Sequence, residues 1–138
     1  MDNPDLNKDY GCEDVDAVFF DADLDGDLDL FVVSGGNEPS GLQRLMMDRL
    51  YINDGTGRFE RREDLIPEYY HNGSCVRPED FDDDGDVDLF IGSRSVPDLY
   101  GISPESYLLE NDGHGLYKNV TTQKAPELGD IGMVSDAA

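Results

Sequence analysis

Two runs of alternating aspartates carry the chemistry that this chain can do. The first is Asp21-Ala22-Asp23-Leu24-Asp25-Gly26-Asp27-Leu28-Asp29, and the second is Asp80-Phe81-Asp82-Asp83-Asp84-Gly85-Asp86-Val87-Asp88. Calcium, a hard cation, takes about six to eight oxygens, and a nine-residue loop wraps it when the side chains at positions 1, 3, 5 and 9 point inward. Those positions are Asp21, Asp23, Asp25 and Asp29 in one loop, and Asp80, Asp82, Asp84 and Asp88 in the other. Glycine at position 6, Gly26 or Gly85, permits the sharp turn. Position 7, Asp27 or Asp86, then offers its backbone carbonyl and leaves its side chain to solvent. The expectation is two calcium ions per chain.

A solvated Asp- and Gly-rich turn is the plainer reading of any one such loop. Two carboxylates about 5 Å apart at an effective dielectric near 20 repel by roughly 3 kcal/mol, so four converging without a cation are costly. The same spacing in two equivalent places favours the cation. An EF-hand would need a glutamate at position 12 and flanking helices. Position 12 is Val32 or Ile91, each inside an apolar run of β character.

Other chemistry is sparse. His71 and His114 are the only histidines, and His114 lies in the tight Asp112-Gly113-His114-Gly115 turn, where a solvent-facing role is expected. Cys12 and Cys75 form no CxxC pair, which argues against zinc and leaves buried thiols or a disulfide open. No nucleophile elbow, phosphate loop or dinucleotide fingerprint is present. Paired acids can act as a glycosidase dyad. A carbohydrate-active, calcium-dependent propeller enzyme is therefore the alternative to a non-enzymatic binding module.

The elements that must position these loops repeat with them. A shift of 59 residues lays Asp21–Phe31 onto Asp80–Phe90, and a shift of 58 lays Leu50–Phe59 onto Leu108–Tyr117, with Asn-Asp-Gly-x-Gly common to both. Each unit reads as four strands: Val15–Phe20, Leu28–Val33, Arg49–Ile52 and Arg58–Arg61, then Ser74–Arg77, Val87–Gly92, Tyr107–Glu110 and Leu116–Val120. The near-continuous apolar run Leu28–Val33 implies burial on both faces, and the alternating Arg58–Arg61 an outer strand. Pro39–Asp48, with Leu42, Leu45 and Met46 at helical spacing, reads as a loop with one helical turn.

The fold class expected is all-β, with antiparallel four-stranded β-propeller blades whose strand-to-strand loops bind calcium. Residues 1–138 form a single repeat region, with blades over 13–64 and 73–122 and the first strand of a truncated third blade over 130–138. Two blades alone would leave open faces carrying Phe31, Val33, Phe90 and the neighbours of Ile91. Self-association, or completion by further blades of a larger protein, is expected to cover them. Tyr69, Tyr70, Tyr100, Tyr107 and Tyr117 are expected to serve blade packing before any ligand surface.

Asp-x-Asp-x-Asp-Gly-x-x-Asp-Leu between strands, followed by Asn-Asp-Gly-x-Gly-Arg-Phe, resembles the FG-GAP or VCBS repeats of integrin-α-type propellers. Phe19-Phe20-Asp21-Ala22-Asp23, Val32 to Glu38 and Gly92 to Pro97 resemble the repeat region of bacterial secreted proteins of the ASPIC/UnbV type. The resemblance implies a calcium-bearing propeller of several blades, exported from the cell, with a binding or scaffolding role.

The formal charge of -22, from 32 acidic and 10 basic residues, agrees with a cation as partner. It argues against nucleic acid, which needs basic patches where this chain has only Arg58, Arg61 and Arg62 clustered. A protein or carbohydrate ligand remains open. No run approaches a membrane span, and Met1-Asp2-Asn3-Pro4 lacks the pattern of a signal peptide. An extracellular or periplasmic location is expected, because millimolar external calcium would keep even weak sites filled.

Overall fold

A computed structural model describes residues 3–36, 43–69, 71–96, 99 and 101–138. Eight strands form two antiparallel sheets in simple meander order. The first contains β1 (Asp14–Phe20), β2 (Asp29–Ser34), β3 (Arg49–Asn53) and β4 (Phe59–Arg61). The second contains β5 (Asn72–Glu79), β6 (Asp88–Ser95), β7 (Tyr107–Asn111) and β8 (Tyr117–Asn119). Each acidic run joins the first two strands of its sheet, and each Asn-Asp-Gly turn joins the last two. One irregularity repeats as well: the β1–β2 register slips at Val15, and the β5–β6 register slips at its equivalent Ser74.

The sheets stack face to face around one core. Val18 and Phe20 of β1, Phe31 and Val33 of β2 and Leu50 of β3 meet Val76, Leu89, Ile91, Leu109 and Tyr117 of the second sheet. Approach is close where β5 crosses β2, since a Cβ on Gly73 would lie 2.7 Å from the Ser34 carbonyl oxygen. Only glycine fits there.

The residues equivalent to Phe31, Val33 and Leu50 are Phe90, Gly92 and Leu108, and these lie on the side of the second sheet turned away from the first. The contact therefore joins unlike faces, head to tail, as neighbouring blades of a propeller do. A sandwich with two-fold symmetry would bury the same face of both sheets. This corrects the expected exposure: Phe31 and Val33 are fully buried between the sheets, and Phe90 is half-buried on the outward face. Leu28 also departs from its expected burial, being 55% exposed at the mouth of the loop before β2.

Two short helices outside the strands lie against the outward sides of the sheets. The helix α1 (Pro4–Lys8) lies on β4. After it, Asp9 accepts from the Tyr51 hydroxyl at 2.6 Å and from the Arg61 guanidinium at 2.6 Å. On the second sheet, α2 (Thr121–Lys124) packs on β7, with the Thr121 hydroxyl accepting the Leu108 N–H at 2.9 Å. Residues 130–138, expected as the first strand of a third unit, form no strand ladder. They meet the second sheet through the Val134 N–H to the Ser93 carbonyl at 2.9 Å and through the Arg77 guanidinium, which donates to the Ala137 carbonyl and pairs with Asp136.

The helical turn expected near Leu45 is a 3₁₀ turn over Gln43–Met46, with Leu42 outside the described residues. Tyr69 and Tyr107 stack at 4.7 Å between centroids, and Tyr117 is buried. Tyr70 and Tyr100 lie outside the described residues. Cys12 and Cys75 are both free thiols, the second buried.

Candidate metal centre

Each acidic loop is built by its own first and last carboxylates. Asp21 accepts the Asp25 N–H at 3.1 Å on Oδ1 and the Gly26 N–H at 3.0 Å on Oδ2. Asp80 does the same for Asp84 at 3.2 Å and Gly85 at 3.0 Å. These bonds curl the chain back over position 1, and the curl demands left-handed backbone at positions 4 and 6. Gly26 and Gly85 take φ of 94° and 97°, while Leu24 and Asp83 take 61° despite their Cβ atoms. Two non-glycine residues in this region mark local strain held by the surrounding bonds.

Position 9 ties the loop to the sheet. Asp29, fully buried, accepts the Ala22 N–H at 2.8 Å and the Asn53 N–H at 2.8 Å. Asp88 accepts the Phe81 N–H at 3.1 Å and the Asn111 N–H at 2.9 Å. One carboxylate thus fixes the start of the acidic loop to the start of the Asn-Asp-Gly turn. That turn folds on itself: Asn53 Oδ1 accepts the N–H groups of Gly55 and Gly57, as Asn111 Oδ1 accepts those of Gly113 and Gly115.

This framework brings Asp21, Asp23 and Asp29 together, with one carboxylate oxygen of each within 4.8 Å of the others. Asp80, Asp82 and Asp88 form the matching triad at the same spacing. Positions 5 and 7 stand outside these triads. Asp25 Oδ1 takes the Asp27 N–H at 2.9 Å, and Asp84 Oδ1 takes the Asp86 N–H at 3.2 Å. Nor is the position-7 side chain left to solvent as expected. Asp27 is half-buried, and Asp86 is only 7% exposed, with its Oδ1 buried and lacking a hydrogen-bond partner. Gly55 and Gly113 lie against these two side chains, and this contact across the turn encloses them.

The electrostatics record crowding. Burial and then the neighbouring Asp25 push the Asp23 carboxyl above its ordinary value. Burial does the same to Asp29 and Asp88, against the N–H bonds each accepts. Asp86 is pushed up to about 6 by burial, then by its hydrogen bond with Asp84 and the charges around it. Asp82 moves the other way, because the Lys124 ammonium bonded to it favours the carboxylate. All-oxygen donors, anions held at short range and an orphaned buried carboxylate oxygen fit a hard divalent cation.

A second cluster went unnoticed in the sequence. His71 Nε2 lies 3.0 Å from Asp48 Oδ2, its Nδ1 lies 2.7 Å from Ser93 Oγ, and the Tyr69 hydroxyl donates to Asp48 at 2.9 Å. The order is that of a hydrolase triad. Ser93 is fully buried, however, and its repeat equivalent Ser34 has its N–H bound by Asp48 Oδ1 at 2.9 Å. This network joins the first unit to the second. His114 is exposed in its turn, as expected.

A family model described as an FG-GAP-like repeat matches residues 14–91, more than half of the chain. No curated protein matches, and no solved structure does. The match runs from the start of β1 into β6 and so contains both acidic loops.

Proposed function

Because the chain belongs to the FG-GAP-like repeat family, we propose that it is a calcium-binding interaction or scaffolding module with a non-enzymatic role. The observation that carries this reading is the pair of carboxylate triads, Asp21-Asp23-Asp29 and Asp80-Asp82-Asp88, each drawn to within 4.8 Å. Asp25 and Asp84 complete the donor set from position 5, and Asp27 and Asp86 contribute their backbone carbonyls. Calcium supplies positive charge that offsets the repulsion of these acids. An ion held there would be ligated by residues at both the start and the end of a strand-to-strand loop.

The head-to-tail stacking supports a partial propeller. Phe90 and Leu108 present outward the face that Phe31 and Leu50 present to the second sheet, so a further unit would continue the same contact. Among the described residues no helix is long and apolar enough to cross a membrane. FG-GAP repeats are typical of extracellular proteins, and an extracellular or periplasmic setting supplies the calcium. The ligand class proposed is a protein or carbohydrate.

The test is thermal melting with calcium and with chelator. A cation that binds only the folded state adds about 2.7 kcal/mol per site at a hundredfold excess over Kd. Melting indifferent to chelator would remove calcium from the account.

A further inference from the structure

The duplication that builds the two loops breaks at one residue. Lys124, the last residue of α2, reaches into the second loop, where its ammonium donates to Asp82 Oδ2 at 2.7 Å and pairs with Glu110 of β7. A shift of 58 residues puts Ile66 where Lys124 stands and Ile52 where Glu110 stands, and both isoleucines pack on the core. Among the described residues no lysine or arginine pairs with Asp21, Asp23 or Asp29. The neighbour of the first loop is instead the turn of the second unit, whose Gly115 lies against Asp23 and whose Asn111 bonds the Ala22 carbonyl at 2.8 Å.

One ammonium does not complete the second loop. Asp86 stays buried at 7% exposure with Oδ1 lacking a hydrogen-bond partner. A divalent ion that enters this loop must take Asp82 as a ligand and share the space with Lys124.

We infer that Lys124 is a built-in competitor for the cation of the second loop: calcium enters as the ammonium leaves Asp82, and the second loop binds it more weakly than the first. This rests on the calcium reading above. An ammonium about 6 Å from a divalent ion in a water-like dielectric lowers its affinity by about tenfold. The first loop has no such competitor, so the two ions bind in sequence.

Calorimetric titration of the full chain with calcium chloride tests this, in an Asp21→Asn background where the second loop alone reports. Lys124→Met should tighten binding about tenfold, and Lys124→Arg, which keeps the charge, should leave it as it was. Lys118→Met, which removes a charge from β8, should change it less than about twofold. An unchanged Kd in Lys124→Met overturns the inference and leaves the calcium reading standing, as does an equal shift in Lys118→Met. Absence of calcium binding in the unsubstituted chain overturns both.

Discussion

The side-chain amide of Asn111 donates a 2.8 Å hydrogen bond to the carbonyl of Ala22, 89 residues earlier in the chain. The turn of one unit therefore holds the acidic loop of the other. The same amide also donates to the Val87 carbonyl at 3.1 Å and to the Tyr117 hydroxyl at 3.2 Å. Among the described residues its equivalent Asn53 donates only within its own unit, to the Leu28 carbonyl at 3.1 Å.

Asn111→Ala should therefore destabilise the fold more than Asn53→Ala, by at least about 1 kcal/mol, because it leaves buried partners unpaired across the sheets. Urea unfolding of the two variants measures the difference. Equal losses would show that the bond between units adds nothing.

Position 9 and position 5 should separate by role. Asp29→Ala leaves the Ala22 and Asn53 N–H groups without partners at a buried site, at a cost of about 2 to 4 kcal/mol in metal-free buffer. Asp25→Ala, on the exposed rim, should cost less than about 1 kcal/mol and act mainly on cation affinity. Similar unfolding midpoints in metal-free buffer would contradict this division.

Stability without metal should fall as pH rises. Asp86 titrates at about 6 in the fold against an ordinary 3.8, so between these values the folded chain holds a proton that the unfolded chain has lost. That contribution is complete below 3.8 and is lost as pH passes 6. Asp23, Asp29 and Asp88, also raised, act in the same direction. Asp5, Asp54 and Asp64 are lowered by hydrogen bonds to their charged forms, so they penalise stronger acid. In chelator the melting temperature should peak at about pH 4, and calcium should move the peak towards neutrality. A melting temperature that rises steadily from pH 5 to pH 7.5 in chelator would refute this.

Strand order and loop placement were legible because the repeat states them twice: the eight strands expected of the two complete units form, displaced by at most a few residues, while the strand expected over residues 130–138 does not. The triads were legible from spacing, since loops starting and ending on aspartate need only close. Asp86 was misread because its enclosure depends on Gly113, which lies in the turn between β7 and β8. Spacing along one loop says nothing about what another loop places against it. The Asp48-His71-Ser93 network was invisible for the same reason, its members coming from both units. The helices α1 and α2 were missed because they are short and lack an amphipathic repeat, so they exist through contacts such as Asp9 with Tyr51 and Thr121 with Leu108. Lys124 gave no signal either, being one lysine in a polar stretch until α2 turns it towards Asp82.

The most direct measurement is the number of calcium ions held per chain, read by titration calorimetry together with native mass spectrometry. Two are expected for the unsubstituted chain, one for Asp21→Asn, one for Asp80→Asn and none for the double variant. Folded chains that carry no calcium at millimolar concentration, or single variants that keep both ions, would contradict this.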